Sequence, residues 1–383
     1  MKVLVALTYF RPYKSGLTVY AQRLAKTLAE RGHEVIVLTS QHEHSLPIEE
    51  IVDGVHVIRV PVAFRLSKGV IMPSIFLKAW KLTDWADVIN LHVPQVDAAV
   101  ISLIAKIKRK PIVLTYHCDL KMPKGLINKL VGWVALIANH ISAALADAIV
   151  HNTRDFAEHS AFLRRYLAKV EVIPAPIIIE KVTSKEINAF KVAYAVEDDQ
   201  PIIGIAARLA AEKGVEYLVE AMPRVLAAYP KARVLCIGEY RKVFGEEAYR
   251  KKMLPLIETL GSHWTFLGVV SESEKAAFFH ACRLLVLPSI NSTESFGMVQ
   301  VEAMSCGTPV IATDLPGVRQ PVKQFGMGCI VPPKNSEALA AAIISLFKEL
   351  KPKLDIEVII KHYAPETIVK QYEDIFADLI NSN

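Results

Sequence analysis

Residues 284–317, LLVLPSINSTESFGMVQVEAMSCGTPVIATDLPG, contain two apolar runs separated by a segment that is bounded by glycines. The runs at 284–287 and 310–312 predict buried strands, and the segment between them predicts a helix from near Gly297 to just before Gly307. A strand, a helix and a second strand in this order are typical of a parallel sheet that is covered on both faces. The stretch therefore predicts an α/β fold.

The same alternation continues along all 383 residues and forms two series. The first series predicts strands at 2–7, 34–38, 55–60, 88–91, 112–115, 148–151 and 170–173. The second predicts strands at 201–207, 233–237, 264–267, 284–287, 310–312 and 329–331. The stretch between them begins with Pro174-Ala175-Pro176 and has no strand pattern. We therefore predict two α/β domains, residues 1–180 and 181–361, and a closing helix at about 362–383.

The composition excludes several classes of protein. The five cysteines are widely spaced and form no CxxC pair, so neither a disulfide framework nor a zinc site is indicated, and a cytoplasmic location is expected. The apolar run at 3–10 is too short for a signal peptide. Residues 1–180 carry 22 Lys and Arg against 15 Asp and Glu. This basic excess suits an anionic lipid surface or a phosphorylated acceptor, or it only maintains solubility, whereas nucleic acid is disfavoured because no binding motif accompanies it.

Two carboxylates bracket the start of the helix predicted after 284–287. Glu294 precedes Phe296-Gly297, and Glu302 lies about 8 Å along the helix axis from Gly297. The loop after a parallel strand opens onto the ligand crevice, and the helix that follows directs unpaired backbone N–H groups toward it, which favours a diphosphate. The carboxylates are suited to accept hydrogen bonds from sugar and ribose hydroxyls. The alternative is that Glu294 caps the helix and Glu302 faces water.

Two further groups follow predicted strands. In IAARLAAEKGVEYLVEA, residues 205–221, Arg208 and Lys213 lie where a strand ends, and two cations there suit the charge that develops on a diphosphate leaving group. The alternative is surface pairing with Glu212 or Glu216. In TYHCD, residues 115–119, His117 lies within reach of a substrate hydroxyl and Asp119 is expected to orient it, although a single histidine is often inert.

The loop TYFRPYKSGLTVYAQRLA, residues 8–25, connects the first strand to the first helix and contains Gly16 near the helix start. This is an anion-binding position. The loop has a single glycine, so it is not a GxGxxG fingerprint and nicotinamide binding is disfavoured.

With these residues in view, the whole chain resembles glycosyltransferase family 4, and the Glu-x7-Glu string with CGTPVIATDLPG carries the resemblance. The resemblance implies a GT-B fold, with two Rossmann-like parallel-sheet domains that face a central cleft, and transfer with retention and without a metal or other cofactor. It also implies that the donor is held by Ser295, Phe296, Gly297, Met298 and Val299, with Gly16, Arg208, Lys213, Glu294 and Glu302. The catalytic residues that it implies are His117, Glu294, Arg208 and Lys213, with the acceptor on the N-terminal domain and the C-terminal helix crossing back to it. The chain departs from the usual pattern of this family at two places. Ser15-Gly16 stands where the family usually has two adjacent glycines, and Ala175-Pro176 stands where it usually has Asn-Gly.

The prediction is a retaining hexosyltransferase that acts on a nucleotide diphosphate sugar and a glycan, lipid or lipid-linked acceptor, after domain closure. This suits the biosynthesis of cell-envelope polysaccharide or glycolipid. Two alternatives stay open, a nucleotide-sugar epimerase and a non-catalytic nucleotide-sugar binding protein. The apolar stretch 126–150 is interrupted by polar residues and is expected to be a core helix; a surface helix in peripheral contact with the inner face of an anionic membrane is the alternative. Basic residues suited to such contact are Lys106, Lys108, Arg109, Lys110, Lys121 and Lys124.

Overall fold

The computed structural model describes residues 1–66, 69–121, 125–349 and 355–382. It divides into two compact units. Unit 1 is Met1–Pro176 with Tyr363–Asn383, and unit 2 is Ile177–His362. The units meet along the chain four residues before the predicted boundary at 180, and the return to unit 1 falls one residue later than the predicted start of the closing helix.

The described residues form strands and helices in alternation. The strands are β1 (Lys2–Ala6), β2 (Glu34–Gln41), β3 (Glu49–Val52), β4 (Val55–Pro61), β5 (Phe64–Leu66), β6 (Gly69–Ile71), β7 (Val88–Val93), β8 (Ile112–Tyr116), β9 (Ala148–His151), β10 (Val170–Val172), β11 (Ile202–Ala206), β12 (Arg233–Ile237), β13 (Trp264–Gly268), β14 (Leu284–Leu287), β15 (Val310–Thr313) and β16 (Gly328–Val331). The helices are α1 (Gly16–Glu30), α2 (Ile75–Trp85), α3 (Ala98–Ile107), α4 (Leu126–Leu145), α5 (Arg154–His159), α6 (Ser184–Ala193), α7 (Val215–Ala228), α8 (Glu247–Glu258), α9 (Glu272–Ala281), α10 (Met298–Ser305), α11 (Gln320–Phe325), α12 (Ser336–Lys348), α13 (Ile356–Tyr363) and α14 (Pro365–Asn381).

The main sheet of unit 1 has the strand order β10-β9-β8-β7-β1-β2-β4-β3. Its pairs are parallel except β3 with β4, and β5 and β6 form a separate antiparallel pair. The chain runs from β1 outward through β2 and β4, and later from β7 outward through β8, β9 and β10. Because right-handed crossovers in opposite directions place helices on opposite faces, α1 covers one face while α3 and α4 cover the other.

The core of unit 1 follows from the apolar runs that predicted its strands. Strands β1, β7 and β8 are buried along most of their length, as expected for parallel strands with helices on both sides. The last helix, α14, packs against α1, and the buried Tyr372 hydroxyl lies 2.9 Å from the Tyr20 hydroxyl. The end of the chain is therefore part of the core of unit 1.

The sheet of unit 2 has the order β13-β12-β11-β14-β15-β16 and all its pairs are parallel. The chain runs from β11 through β12 to β13 in one direction and from β14 through β15 to β16 in the other. The architecture confirms the predicted fold class, two Rossmann-like units with parallel sheets. The strands agree with the predicted ones within three residues at each end, whereas β3, β5 and β6 were not predicted.

Candidate functional site

The reversal of strand order in unit 2 falls between β11 and β14, which pair directly through Ile203 with Leu284 and Gly204 with Leu285. In an open parallel sheet the loops that leave two such strands diverge to opposite faces, and a crevice remains at the carboxyl ends of the strands. The corner from β11 to α7 contains Arg208 and Lys213. The corner from β14 to α10 contains Glu294, so the topology brings the two sequence-predicted groups to one crevice.

The corner after β11 lies tightly against the end of β14. Gly214 has a φ of +64°, and a Cβ atom there would lie 2.2 Å from the carbonyl oxygen of Pro288. Only glycine allows this contact, because the left-handed conformation and the space both exclude a side chain. The backbone N–H of Ile290 also donates to the carbonyl of Glu212 at 3.1 Å. These contacts fix Lys213, the neighbour of Gly214, beside the second corner.

The corner after β14 turns into α10 at Gly297, which has a φ of +77°. A Cβ atom at Gly297 would lie 2.4 Å from Leu287 Cδ2, so this position also requires glycine. Gln300 holds the turn, since its side-chain amide donates to the carbonyls of Phe296 and Val318. The N–H group of Gln300 donates to the carbonyl of Gly297 at 3.0 Å, whereas helix geometry gives the amides of Met298 and Val299 no acceptor one turn earlier, which makes this turn a suitable anion site.

The charged side chains of the crevice form ion pairs. The ammonium group of Lys213 lies 2.5 Å from a carboxylate oxygen of Glu294, which also accepts from Ser289 at 3.4 Å. Arg208 pairs with Glu212 at 3.3 Å, and about two fifths of its side chain is exposed. The surface-pairing alternative therefore describes Arg208, whereas Lys213 pairs with the opposite corner and not with its own helix.

Glu302 is buried within α10, with 4% of its surface exposed. Its carboxylate lies 3.3 Å from the ammonium group of Lys275 on α9, which also pairs with Glu272 at 2.6 Å. The alternative that Glu302 faces water is wrong, and Glu294 makes no side-chain cap on α10. Burial of an unpaired carboxylate costs free energy, and the ammonium group of Lys275 reduces that cost by pairing with Glu302. The sequence did not single out Lys275.

The remaining predicted donor contacts surround the turn before α10. Ser295 and Phe296 are buried, and Met298 and Val299 are half-buried. Phe296 is 3% exposed, so its ring belongs to the core and its backbone is the part that is available to a ligand. Gly16, which was predicted to contact the donor, lies in unit 1. It is the exposed first residue of α1 and follows the capping residue Ser15.

Unit 1 reverses its strand order between β1 and β7, and a cavity of about 250 Å³ lies at the carboxyl ends of these strands. Its wall is mostly apolar and includes Tyr9, Tyr13, Leu120 and two residues of α4, Val131 and Ala135. The polar groups of the wall include Gln95 and Asp97, from the loop after β7. Burial raises the pKa of Asp97 to about 6. This cavity was not predicted from the sequence.

His117 follows β8 at the same edge of unit 1 and is buried. Its Nε2 atom lies 2.9 Å from Nδ1 of His92, at the end of the neighbouring strand β7. Burial, with His92 and His151 nearby, lowers the pKa of His117 well below its ordinary value. The expectation that Asp119 orients His117 is wrong, because the Asp119 carboxylate accepts from Tyr116 at 2.9 Å and from Ser160 at 2.6 Å.

The described ranges contain neither a candidate metal cluster nor a helix that could span a membrane. Within residues 1–66, 69–121, 125–349 and 355–382, no cluster of three or more His, Cys, Asp or Glu side chains is arranged to hold a metal ion. In the same ranges, no helix has the length and hydropathy that crossing a bilayer requires.

Two family models match the chain. Residues 186–365 match the model described as glycosyl transferases group 1, and residues 15–176 match the model described as glycosyl transferase 4-like domain. Together they cover most of both units. The first match contains β11 and β14, the two strands at the reversal of unit 2, whereas the second contains β7 but begins after β1.

Individual proteins are similar over nearly the full length. A phosphatidyl-myo-inositol mannosyltransferase of Mycobacterium leprae is 26% identical over 91% of this chain and 88% of its own. An alpha-monoglucosyldiacylglycerol synthase of Acholeplasma laidlawii is 24% identical over 100% of this chain and 98% of its own. HepE of Anabaena, solved in complex with UDP-glucose, has a TM-score of 0.78 at 22% identity, over 99% of this chain and 100% of that one.

Proposed function

This chain belongs to the group 1 glycosyltransferases, and on that premise we propose that it transfers a hexose from a nucleotide diphosphate sugar to a lipid or lipid-linked acceptor, with retention and without a metal ion. The family membership confirms the predicted enzyme class, a retaining hexosyltransferase that uses a nucleotide-sugar donor. The donor site, the lipid-type acceptor and the independence of a metal ion are the parts that we propose.

The observation that carries the proposed donor site is the convergence of two corners at the strand reversal of unit 2. Lys213 and Glu294 are 81 positions apart in the chain and 2.5 Å apart in space. A cation, a carboxylate and the start of a helix at one crevice suit a sugar that is linked to a diphosphate. In this arrangement the cation and the helix start suit the diphosphate, and the carboxylate suits the hydroxyls of the sugar.

In this proposal Lys213 and Arg208 bind the diphosphate and stabilise the negative charge that grows as the glycosidic bond breaks. An ammonium group has three donors, so Lys213 can keep its bond to Glu294 while it donates to a phosphate oxygen. Glu294 then accepts from hydroxyls of the transferred sugar, and backbone amides near Gly297 bind the phosphates. Glu302, which lies beside Lys275, accepts from the ribose hydroxyls.

The proposed acceptor site is the apolar cavity of unit 1. An acceptor with a hydrocarbon part suits a wall that contains Leu120, Val131 and Ala135, while Gln95 and Asp97 suit its hydroxyl groups. His117 lies at the same sheet edge and is proposed to contact the substrate. By their names, one of the two relatives described above is a mannosyltransferase of phosphatidyl-myo-inositol and the other makes a monoglucosyldiacylglycerol, which supports an acceptor of the lipid class.

An exposed apolar surface adjoins this cavity through α4, and we propose that it rests on an anionic membrane. On α4, the residues Leu130, Trp133, Val134, Ile137 and Ile141 follow helical spacing on one side and are all exposed. The neighbouring helices α2 and α3 add further exposed apolar side chains. These are Phe76, Leu77, Trp80, Leu103 and Ile107. Patches of this kind mark interaction surfaces rather than ordinary solvent-facing helices.

Charge supports an anionic lipid as the partner. Arg109 and Lys129 are exposed at the ends of α3 and α4, and Lys121 is exposed in the loop after β8, while Lys106 and Lys108 of the same region pair with Asp147 and Asp84. Basic residues close to an anionic surface each contribute about 1 kcal/mol. Lys124, which was predicted to contribute, lies outside the described residues. This proposal replaces the core-helix interpretation of 126–150 for the exposed side of α4.

Donor binding can be tested first by thermal shift with the nucleoside diphosphates and their sugars. A ligand at 100 times its dissociation constant stabilises the folded protein by about 2.7 kcal/mol. We expect one diphosphate to raise Tm and Lys213→Ala to abolish the rise. A diphosphate that binds the wild type and Lys213→Ala equally well would contradict the proposed site.

Transfer is then tested with the donor so identified and with lipid acceptors in mixed vesicles, and the product linkage is read by NMR. We expect sugar to appear on the lipid with its anomeric configuration retained, in the presence of EDTA. Incubation of the donor without acceptor distinguishes an epimerase, which would release an epimerised nucleotide sugar. Donor binding without turnover in every acceptor tested would favour the non-catalytic alternative.

A further inference from the structure

A continuous row of buried hydrogen bonds joins His117 to the backbone of β8, the strand that precedes it. The row passes through two residues of the neighbouring strand β7. His117 bonds to His92, His92 bonds to Asn90 at 2.8 Å, and Asn90 bonds to the carbonyl oxygen of Val113 at 3.1 Å. Asn90 and His92 are fully buried. Two polar side chains inside a strand that is otherwise apolar are costly unless each bond is made, so this row is a defined structural feature.

The direction of every bond in the row follows from its last member. A backbone carbonyl can only accept, so the group of Asn90 that faces Val113 is the amide nitrogen. The same nitrogen donates to the hydroxyl of Thr115 at 2.9 Å. The amide orientation is thereby fixed, and the oxygen of Asn90 is the atom that faces Nε2 of His92.

The state of His92 follows from that orientation. Because the oxygen of Asn90 accepts, Nε2 of His92 must carry a proton. Burial lowers the pKa of His92 to about 3, so at neutral pH the ring is uncharged and holds a single proton. Nδ1 of His92 therefore presents a lone pair toward His117.

We propose that His92, fixed by Asn90, is a positioning residue that holds His117 as the neutral tautomer with its proton on Nε2. The Nε2–H group of His117 donates to Nδ1 of His92 at 2.9 Å, and the two ring planes lie within 18° of each other, which is compatible with an N–H···N bond in the plane of both rings. The lone pair of His117 is then on Nδ1. His117 accepts a hydrogen bond there and does not donate one.

Packing keeps the two rings in this arrangement. Tyr20 lies edge-on to the His117 ring at 5.0 Å and to the His92 ring at 6.0 Å. The other end of the row is also held in place, because the hydroxyl of Thr115 lies 3.0 Å from the hydroxyl of Tyr372 in α14. The C-terminal helix and the loop after β8 are thus joined through one set of buried polar groups.

The consequence rests on the function proposed above. A neutral imidazole whose lone pair is on Nδ1 accepts from a substrate hydroxyl and repels a carboxylate. The other tautomer would present an N–H group at the same point, which would donate to the oxygen of a hydroxyl instead of accepting its proton. The row therefore selects, at the position where the substrate meets His117, a group that can donate, such as a hydroxyl, over one that only accepts.

The tautomer can be measured without any substrate. Protein labelled with ¹⁵N in its imidazole rings is examined by long-range ¹H–¹⁵N correlation between pH 6 and 8, and the His117 signals are assigned by their loss in His117→Gln. We expect His117 and His92 each to be neutral and protonated on Nε2. A His117 ring that is protonated on Nδ1, or on both nitrogens, would overturn the proposal.

Two substitutions at His92 separate the hydrogen bond from ring packing. His92→Phe keeps a planar ring of similar size and removes the acceptor, whereas His92→Asn loses the ring and keeps an oxygen where Nδ1 was. We expect His92→Phe to lower kcat/KM by about 100-fold and to populate the Nδ1-protonated form of His117. His92→Asn should recover about tenfold of that loss and restore the Nε2-protonated form.

The opposite order, with His92→Phe more active than His92→Asn, would show that the ring serves packing alone and would overturn the positioning role. The two kinds of failure remain distinct. If no transfer is found for the wild type, the proposed function fails while the NMR measurement still decides the tautomer. If transfer is found and His92→Phe leaves kcat/KM unchanged, the positioning role fails while the proposed function stands.

Discussion

The ammonium group of Lys213 lies 2.5 Å from the carboxylate of Glu294, although 81 positions separate them in the chain. Each residue comes from a different βα corner, and the two corners leave the adjacent strands β11 and β14. The pair is mostly buried, with 22% and 14% of the two side chains exposed. A donor diphosphate in this crevice would meet a cation whose position is set by a carboxylate of the same site.

We expect Lys213→Ala to lower kcat/KM for transfer by about 100-fold or more, because charge on the departing diphosphate loses a fixed donor. Arg208→Ala should have a smaller effect, since that side chain is more exposed. Lys252→Ala, which removes an exposed lysine from α8, is the control and should leave the kinetics unchanged. Initial rates measured over a range of donor concentrations check this. A loss within a factor of three for Lys213→Ala would contradict its role.

The sequence predicted the composition of each corner but not this pairing. The strings around Arg208 and Glu294 each show charged residues after an apolar run, and that pattern is local. Which strands become neighbours depends on the order in which the sheet is assembled, and no periodicity encodes it. Lys275 was missed for the same reason, because its contact with Glu302 joins two helices that are separated along the chain.

The strands that were missed have a different cause. Strand β3 contains Glu49 and Glu50 and alternates between exposed and half-buried residues. Among the described residues this edge strand pairs with β4 alone, and it lacks the long apolar run that marks a strand buried in the sheet. Its backbone hydrogen bonds, not its side chains, define it as a strand.

The partner of His117 was predicted wrongly because the prediction considered only residues close to it in sequence. Asp119 is close in sequence, but its carboxylate already accepts from Tyr116 and Ser160. The actual partner, His92, lies 25 positions away on β7. A signal was present in VINLHV, where Asn90 and His92 interrupt an otherwise apolar strand, because buried polar residues in such a strand require partners.

Gly297→Ala tests the shape of the second corner. The substitution adds left-handed strain and places Cβ 2.4 Å from Leu287 Cδ2. Gly326→Ala is a matched control, because Gly326 also has a positive φ, +63°, but a Cβ atom there meets nothing within 4 Å. We expect Gly326→Ala to cost about 1 kcal/mol and Gly297→Ala about 2 to 4 kcal/mol of unfolding free energy. Urea denaturation measures both, and equal losses would show that the corner accommodates a methyl group.

Asp97→Asn is expected to stabilise the protein at neutral pH and to weaken acceptor binding. Burial raises the pKa of Asp97 to about 6, so the folded state holds its proton more tightly than the unfolded state does. Stability due to this group is therefore greatest below the unfolded pKa of about 3.8 and falls as pH rises through 6. At pH 7.5 the substitution should add about 1 to 3 kcal/mol, and the gain should disappear near pH 3.5.

Thermal unfolding of the wild type and Asp97→Asn across this pH range measures the gain, and acceptor KM is measured in parallel. Asp87→Asn is a useful contrast, since the Asp87 carboxylate accepts from the backbone N–H of Lys2 at 2.7 Å, and replacing this charged acceptor with a neutral amide should weaken the bond and destabilise unit 1. A gain for Asp97→Asn that does not change with pH would mean that the carboxyl is not buried as an acid.

The apolar surface of unit 1 is tested by vesicle binding. Leu130 and Trp133 are about two thirds exposed, and burial of such side chains in a lipid interface contributes about 1.5 to 3 kcal/mol each. We expect Leu130→Ser with Trp133→Ser to reduce co-sedimentation with vesicles of phosphatidylglycerol by about tenfold or more. Leu256→Ser, which changes an exposed leucine on α8 of unit 2, is the matched control and should bind like the wild type.

Arg109→Glu should weaken binding to the same vesicles at low salt and have little effect at high salt, because screening removes the contribution of this charge. Wild-type protein that fails to sediment with these vesicles at low salt would contradict the membrane contact and leave the apolar cavity to be explained by the acceptor alone.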